Sequence, residues 1–203
     1  MSNTTTHNST KRHVRNIAVT GVLSGLAFVL QLIELPVPFI MPGFIKFDFS
    51  DLPALLGSFS IGPVYGILIE LIKNLLHLAV SSSGGIGELS NFILGAVFVA
   101  IAGIIYNLKK TKKRAVIASF AGSIGMAAVS IPSNIFIVYP VYYKFMDKAA
   151  ILKAYQAIIP SMKSVEQSIV CFNMPFTFVK GMIDVLITFL IYKRLSPILH
   201  GKD

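Results

Sequence analysis

Leu52 to Val80 reads "LPALLGSFSIGPVYGILIELIKNLLHLAV". A membrane-spanning helix takes about 20 mostly apolar residues. These 29 residues are long for one crossing and short for two. A turn signal, "SFSIGP" from Ser58 to Pro63, sits inside the run. Whether the stretch crosses once or twice sets the sidedness of everything after it.

The rest of the chain is built for lipid. Hydrophobic residues make up 54% of its 203 residues and charged residues 13%, where a soluble domain carries about a quarter charged. The length fits one domain. Four further runs qualify as spans: 17–33, 89–108, 115–143 and 169–192. Pro132 and Pro140 are candidate kinks in the third of these, and Pro175 lies near the start of the fourth. The first run is longer than the apolar segment of a secretory signal and lacks a small-residue cleavage site after it, so it reads as an uncleaved span. Residues 1–13 read as a disordered tail and 198–203 as a second tail, flanking a membrane domain over 14–197.

Charge decides the count. The net charge is +9, and the cations are clustered. Lys11, Arg12 and Arg15 precede the first run. Lys109, Lys110, Lys112, Lys113 and Arg114 follow the run 89–108. Lys193, Arg194 and Lys202 close the chain. Each cluster flanks an apolar run, so the clusters read as orientation signals and not as a nucleic-acid surface. With the N-terminus in the cytoplasm, a single crossing by 52–80 puts Lys109–Arg114 outside, and a double crossing puts all three clusters inside. The expected fold is therefore an all-α integral membrane protein with six transmembrane helices, one short, and both termini cytoplasmic. A short second helix is viable if its neighbours cover its ends and polar groups.

On this topology 35–51, 81–88 and 144–168 share the outer face. They are the long, varied loops, which places a site there. In "KFDFSDLPALLG", residues 46–57, Asp48 or Ser50 is expected to cap the second helix, with Pro53 in its first turn. Phe47 and Phe49 are interface anchors or part of an aromatic lip, on an approach stiffened by Pro36, Pro38 and Pro42. Ile151, Leu152, Tyr155, Ile158 and Ile159 recur at helical spacing, which predicts an amphipathic helix on the outer membrane surface, a lid or a plain interfacial helix.

Polar groups inside spans are costly and face a cavity or a partner. Lys180 and Asp184 stand at i and i+4, as an internal ion pair or with the lysine reaching a ligand. Asn173 lies on roughly the same face. Asn134 sits beside Pro132, and Asn91 opens the helix 89–108. An asparagine amide offers a donor and an acceptor, which suits a heterocycle edge; interhelical bonding is the competing use. Glu70, Lys73, Asn74 and His77 form a stripe that meets other helices or snorkels to the interface. Gln31 and Glu34 end the first helix. His77 has no second His or Cys at ligand spacing, so no metal is expected. The single cysteine, Cys171, excludes an internal disulfide. There is no G-x-x-x-x-G-K-[S/T], no His-x-x-x-His pair and no nucleophile elbow, so neither an enzyme nor an ATPase is indicated. Gly21 with Gly25, and Ala118, Gly122, Gly125 and Ala128, give small-residue faces for packing or for a separate membrane subunit.

The segment "FDFSDLPALLGSFSIGPVYGILIELIKNLLH", Phe47 to His77, resembles the substrate-binding (S) components of energy-coupling-factor (ECF) vitamin transporters. Its Asp-Phe-Ser-Asp-Leu-Pro form and the chain length most resemble the riboflavin-specific members. The resemblance implies a bacterial cell-membrane protein holding one vitamin beneath the first outer loop, with no cofactor beyond riboflavin as transported ligand. The implied partners are a transmembrane coupling subunit and two cytoplasmic ATPase subunits. Docking would use small residues of the first helix. The family's Ala-x-x-x-Ala is here Ala18 followed by Val22, with Gly21 and Gly25 alongside. On this resemblance Asn134, Asn173 and Lys180 read polar atoms of the ligand, Asp48 and Asn91 meet ribityl hydroxyls, and Met41, Phe44 and Leu52 pack on the ring. The competing expectations are an S component for thiamine or a pyridoxal-type vitamin, and a stand-alone facilitator.

Overall fold

The computed structural model describes the backbone of residues 3–200 and the side chains of 11–191. Helix α1 spans Asn3–Gln31. In the loop after it, β1 (Leu35–Pro36) pairs antiparallel with β2 (Lys46–Phe47). Helices α2 (Asp51–Ser60), α3 (Pro63–His77), α4 (Ile86–Leu108) and α5 (Lys112–Ser133) follow. A π-helical turn, Asn134–Val138, runs on from α5 into the short α6, Tyr139–Tyr142. Beyond it come α7 (Lys148–Gln156) and α8 (Val165–Ser168). A second π turn, Ile169–Asn173, leads into α9, Met174–His200.

The stretch 52–80 is two helices. Its break falls at Ile61 and Gly62, and Gly62 has φ of 119°. Only glycine takes that backbone without strain, and Pro63, at the first turn of α3, restarts a helix where its missing N–H costs nothing. Among the described residues, five helical segments are long and apolar enough to cross a membrane: Lys11–Gln31, Pro63–Val80, Ile86–Leu108, Lys112–Tyr142 and Val165–Ile191. Helix α2 is not among them. Its ten residues rise about 15 Å, half of a hydrocarbon core of about 30 Å.

All ten residues of α2 are buried. Ala54, Leu55 and Phe59 pack against Leu23, Ile69, Phe98 and Val99. The Ser58 hydroxyl donates to the Val99 carbonyl at 2.7 Å, and Ser60 donates back to Leu56 at 2.7 Å. The condition for a short central helix is thus met: other helices cover its faces, and its hydroxyls find carbonyls.

The small-residue faces separate into two kinds. A Cβ on Gly122 would lie 2.8 Å from the Phe98 carbonyl oxygen, so this glycine sets the spacing of α4 and α5. A Cβ on Gly21 would meet nothing within 4 Å, and Ala18, Gly21, Val22 and Gly25 are all exposed. Gly122→Ala is therefore expected to cost about 1–3 kcal/mol through overpacking, read as a lower thermal midpoint in detergent. Gly21→Ala is expected to leave the midpoint unchanged or slightly raised.

Helix α1 begins at Asn3, so helix runs through most of the lead-in where a disordered tail was expected. Once the span has nucleated a helix, each added residue gains a backbone bond at little cost. At the other end α9 carries helix to His200, while residues 201–203 and the side chains of Lys193, Arg194 and Lys202 lie outside the described residues.

Candidate functional site

Two π turns place the two asparagines. The Tyr139 N–H bonds the Asn134 carbonyl, and the Met174 N–H bonds the Ile169 carbonyl, both five residues back. In each case the next residue is a proline, Pro140 or Pro175. A proline inside a helix has no N–H to give, and its ring crowds the carbonyl four residues back. A wider turn just ahead of it relieves the crowding. Asn134 opens one turn and Asn173 closes the other, an instance of π geometry shaping a pocket. Asn134 Nδ2 donates to the Ser130 carbonyl at 2.7 Å, leaving its Oδ1 and a second N–H for a ligand.

Beneath them lies a ladder of buried charges with alternating sign. Lys180 Nζ lies 3.2 Å from Asp48 Oδ2 and 3.0 Å from Asp51 Oδ2. Lys73 Nζ takes the other Asp51 oxygen at 2.5 Å, Glu70 Oε2 at 2.8 Å and the Ser50 hydroxyl at 2.7 Å. Asn91 Nδ2 donates to Asp48 Oδ2 at 3.3 Å. The segment Asp48–Asp51 is thereby tied to α3, α4 and α9 at once.

The ladder corrects two expectations. Lys180 pairs with Asp48 and Asp51, not with Asp184, whose buried carboxylate has no hydrogen-bond partner among the described residues. Helical side chains lean toward the N-terminus, so Lys180 reaches up to the first loop while Asp184 lies one turn the other way. Ser50 stands at the N-cap of α2, but its side chain makes no cap bond and accepts from Lys73 instead. Asp48 Oδ1 accepts from the Ser50 N–H at 2.8 Å, a local turn and not a cap. A buried ammonium is the stronger claimant on that hydroxyl.

The stripe on α3 is internal, not interfacial: Glu70, Lys73, Asn74 and His77 are all buried. Gln31 donates to Asn74 Oδ1 at 3.0 Å. His77 Nδ1 lies 2.7 Å from Glu88 Oε1, and Ser81 and Ser83 donate to Glu88 Oε2 at 2.9 and 3.0 Å. Glu34 at the end of the first helix pairs with Lys46.

Above the ladder is a pocket at the loop end of the bundle, holding about 1000 Å³ of space counted out to its open mouth. Seven of the eight expected ligand residues line it: Met41, Phe44, Asp48, Asn91, Asn134, Asn173 and Lys180. Leu52 does not; it is buried in the first turn of α2, below the floor. One wall is apolar and aromatic, with Met41, Phe44, Val138, Tyr142 and Phe176. The other is polar, with Gln31, His77, Ser83, Glu88 and Asn91. Glu88, His77, Tyr139, Tyr142 and Phe176 were not foreseen as lining. Their one local signal is position, since Tyr139, Tyr142 and Phe176 flank the same two prolines that set the π turns.

Helix α7 closes the aromatic side. Ile151 and Tyr155 pack with Met41, Val138, Tyr139, Ile169 and Phe172, and Phe44 meets Tyr155 edge-on at 6.1 Å. The predicted amphipathic helix thus turns its apolar face onto the pocket wall instead of lying on a membrane surface, with only Ile159 of its five apolar positions exposed. Its start is capped by Asp147, which accepts from the Ala149 N–H at 3.1 Å. Lys148 is tied to Glu166 of α8 at 2.7 Å, a bond that raises the lysine pKa. Phe47, offered as an interface anchor, is buried and packs edge-on against Phe49 and Phe176.

A bundle of helices long and apolar enough to cross a membrane, with asparagines and a lysine lining one pocket beside aromatic side chains, has the form of a membrane protein that binds a small molecule. The family model "ECF transporter, substrate-specific component" matches residues 15–192, and the chain belongs to that family. It is 34% identical over 185 residues to the riboflavin transporter RibU of Staphylococcus aureus (strain TCH60), covering 91% of this chain and 92% of that one. It is 28% identical over 187 residues to the riboflavin transporter FmnP of Bacillus subtilis (strain 168), covering 91% and 93%. A solved structure, "Structure and mechanism of the S component of a bacterial ECF transporter", matches with a TM-score of 0.75 at 32% identity, over 92% of this chain and 98% of that one. The family works in transport and not in catalysis.

Proposed function

We propose that this chain captures riboflavin at the outer face of a bacterial cell membrane for an ATP-driven ECF importer. The observation that carries the proposal is that Asn134, Asn173 and Lys180 line one pocket together with Phe44, Tyr142 and Phe176. Riboflavin has a flat tricyclic ring whose pyrimidine edge presents carbonyl, N–H, carbonyl. The asparagine amides and the Lys180 ammonium supply donors and one acceptor for that edge, and the aromatic wall takes the ring face. The ribityl hydroxyls then meet the polar wall, where Asp48 and Asn91 are joined by Glu88 and His77. The relatives named as riboflavin transporters support the same choice.

On this proposal α2 completes a sixth, shortened crossing, both termini are cytoplasmic, and 14–197 is the binding domain between two tails. The exposed face of α1 with Ala18, Gly21, Val22 and Gly25 docks on a transmembrane coupling subunit that works with two ATPase subunits. Purified protein is expected to carry flavin absorbance and to quench the fluorescence of added riboflavin one to one. A colourless protein that leaves riboflavin fluorescence unchanged would overturn the ligand. Asn134→Ala and Asn173→Ala are each expected to weaken binding roughly tenfold, the worth of one buried hydrogen bond lost with its partner left unpaired. Uptake into vesicles is expected only when the coupling and ATPase subunits and ATP are present.

A further inference from the structure

Tyr155 belongs to α7 and does not line the pocket, yet its hydroxyl is bonded to a residue that does. Tyr155 Oη lies 2.6 Å from Asn173 Oδ1, Asn173 Nδ2 lies 3.0 Å from Tyr139 Oη, and the two tyrosine hydroxyls meet each other. These three bonds form a closed ring. The distances fix its direction. Hydroxyl-to-oxygen bonds cluster near 2.7–2.8 Å and N–H-to-oxygen bonds near 2.9–3.0 Å. The shorter contact to Asn173 is therefore its carbonyl and the longer its amide nitrogen. Tyr155 has one proton, which it gives to Asn173 Oδ1, so the Tyr139 hydroxyl donates to Tyr155 and accepts from Asn173. All three side chains are buried, at 1% exposure for Tyr139, 0% for Tyr155 and 5% for Asn173, so water does not compete for the ring. Burial also raises the Tyr155 pKa far above its ordinary value, which keeps it a neutral donor.

The ring leaves the Asn173 amide with one free N–H at its nitrogen end. That end adjoins Tyr139, which lines the pocket; the oxygen end adjoins Tyr155, which stands behind it. We propose that Tyr155 is a positioning residue that sets specificity: by holding the Asn173 carbonyl it turns the amide N–H toward the ligand, so the site takes an acceptor there, a carbonyl or ring nitrogen, and rejects a donor. The inference rests on the riboflavin reading of the same pocket. It gives α7 a part in choosing the ligand as well as covering it.

A double-mutant cycle tests it, with riboflavin affinity read by fluorescence quenching on variants that elute as single species in detergent. Tyr155→Phe is expected to weaken binding roughly tenfold in the otherwise native chain and by less than about twofold when Asn173 is already Ala, because the tyrosine acts through the asparagine. The carbonyl stretch of the bound flavin in the infrared is expected to move up in Tyr155→Phe as it does in Asn173→Ala, a shift that a merely structural role would not produce. Affinity within twofold of native, or an equal loss in both backgrounds, would overturn the inference and leave riboflavin binding standing. A native chain that binds no riboflavin overturns the ligand reading itself, and the inference with it. If Tyr155→Phe does not fold, Asn173→Asp reads the same claim. It keeps an acceptor for Tyr155 and loses the donor, so binding should fall at least as far as in Asn173→Ala; native affinity in that variant sinks the proposal.

Discussion

Lys180→Met is expected to abolish tight riboflavin binding and to lower the thermal midpoint in the same variant. The lysine has three donors; one bonds Asp48 Oδ2 at 3.2 Å, Asp51 Oδ2 is an ion-pair contact at 3.0 Å, and the residue lines the pocket. Losing a charge-assisted bond to the ligand, together with the anchor that holds Asp48 in place, should cost roughly a hundredfold in affinity, near 3 kcal/mol. Stability should fall by about 3–5 kcal/mol, because two buried carboxylates lose a shared cation. The two effects can be separated. Adding Asp51→Asn removes one of the stranded charges, so the midpoint should partly recover while affinity does not. A Lys180→Met protein that binds riboflavin like the native chain would make the lysine a structural rung alone.

Lys73→Met should be the most damaging substitution for the fold. Its ammonium is fully buried and holds Asp51, Glu70 and Ser50. Its loss leaves Glu70 with no cation and Asp51 with only Lys180. The expected cost of about 3–5 kcal/mol is a large part of a total stability of about 5–15 kcal/mol, so little monodisperse protein should survive extraction. With no tryptophan in the chain, heating followed by size-exclusion is the practical readout. Pairing the change with Glu70→Gln should return part of the folded yield. Whatever folds should still bind riboflavin better than Lys180→Met, since Lys73 does not line the pocket. Recovery in the double variant no better than in the single would count against the ladder as the source of the loss.

Much of this architecture was legible from local signals. Gly62–Pro63 announced a break, and asparagines and a lysine inside apolar helices pointed to residues that line one pocket. What escaped was set by pairs distant in sequence. Lys180 and Asp184 have the spacing of a helical ion pair, yet the partner is Asp48, 132 residues away. Periodicity gives the face of a helix; it does not give the direction in which a long side chain leans or the segment opposite. Leu52 is apolar and near the first loop, as a ring-packing residue would be, but it is buried in the first turn of α2 and does not line the pocket. Periodicity could not choose between a lid and an interfacial helix for the stripe on α7 for the same reason: an apolar stripe reads alike whether it meets lipid or a protein wall.

Helix α2 also acts as a ruler for the pocket. It starts at Asp51, immediately under the floor, and runs away from the loop end, so the hollow above it is the half of a crossing that the helix leaves unfilled. The depth at which a vitamin sits is then measured in helical turns. One extra turn built onto the start of α2 would plug the cup from below and push Asp48 and its lysine toward the rim, whereas the five full-length helices around it would be untouched.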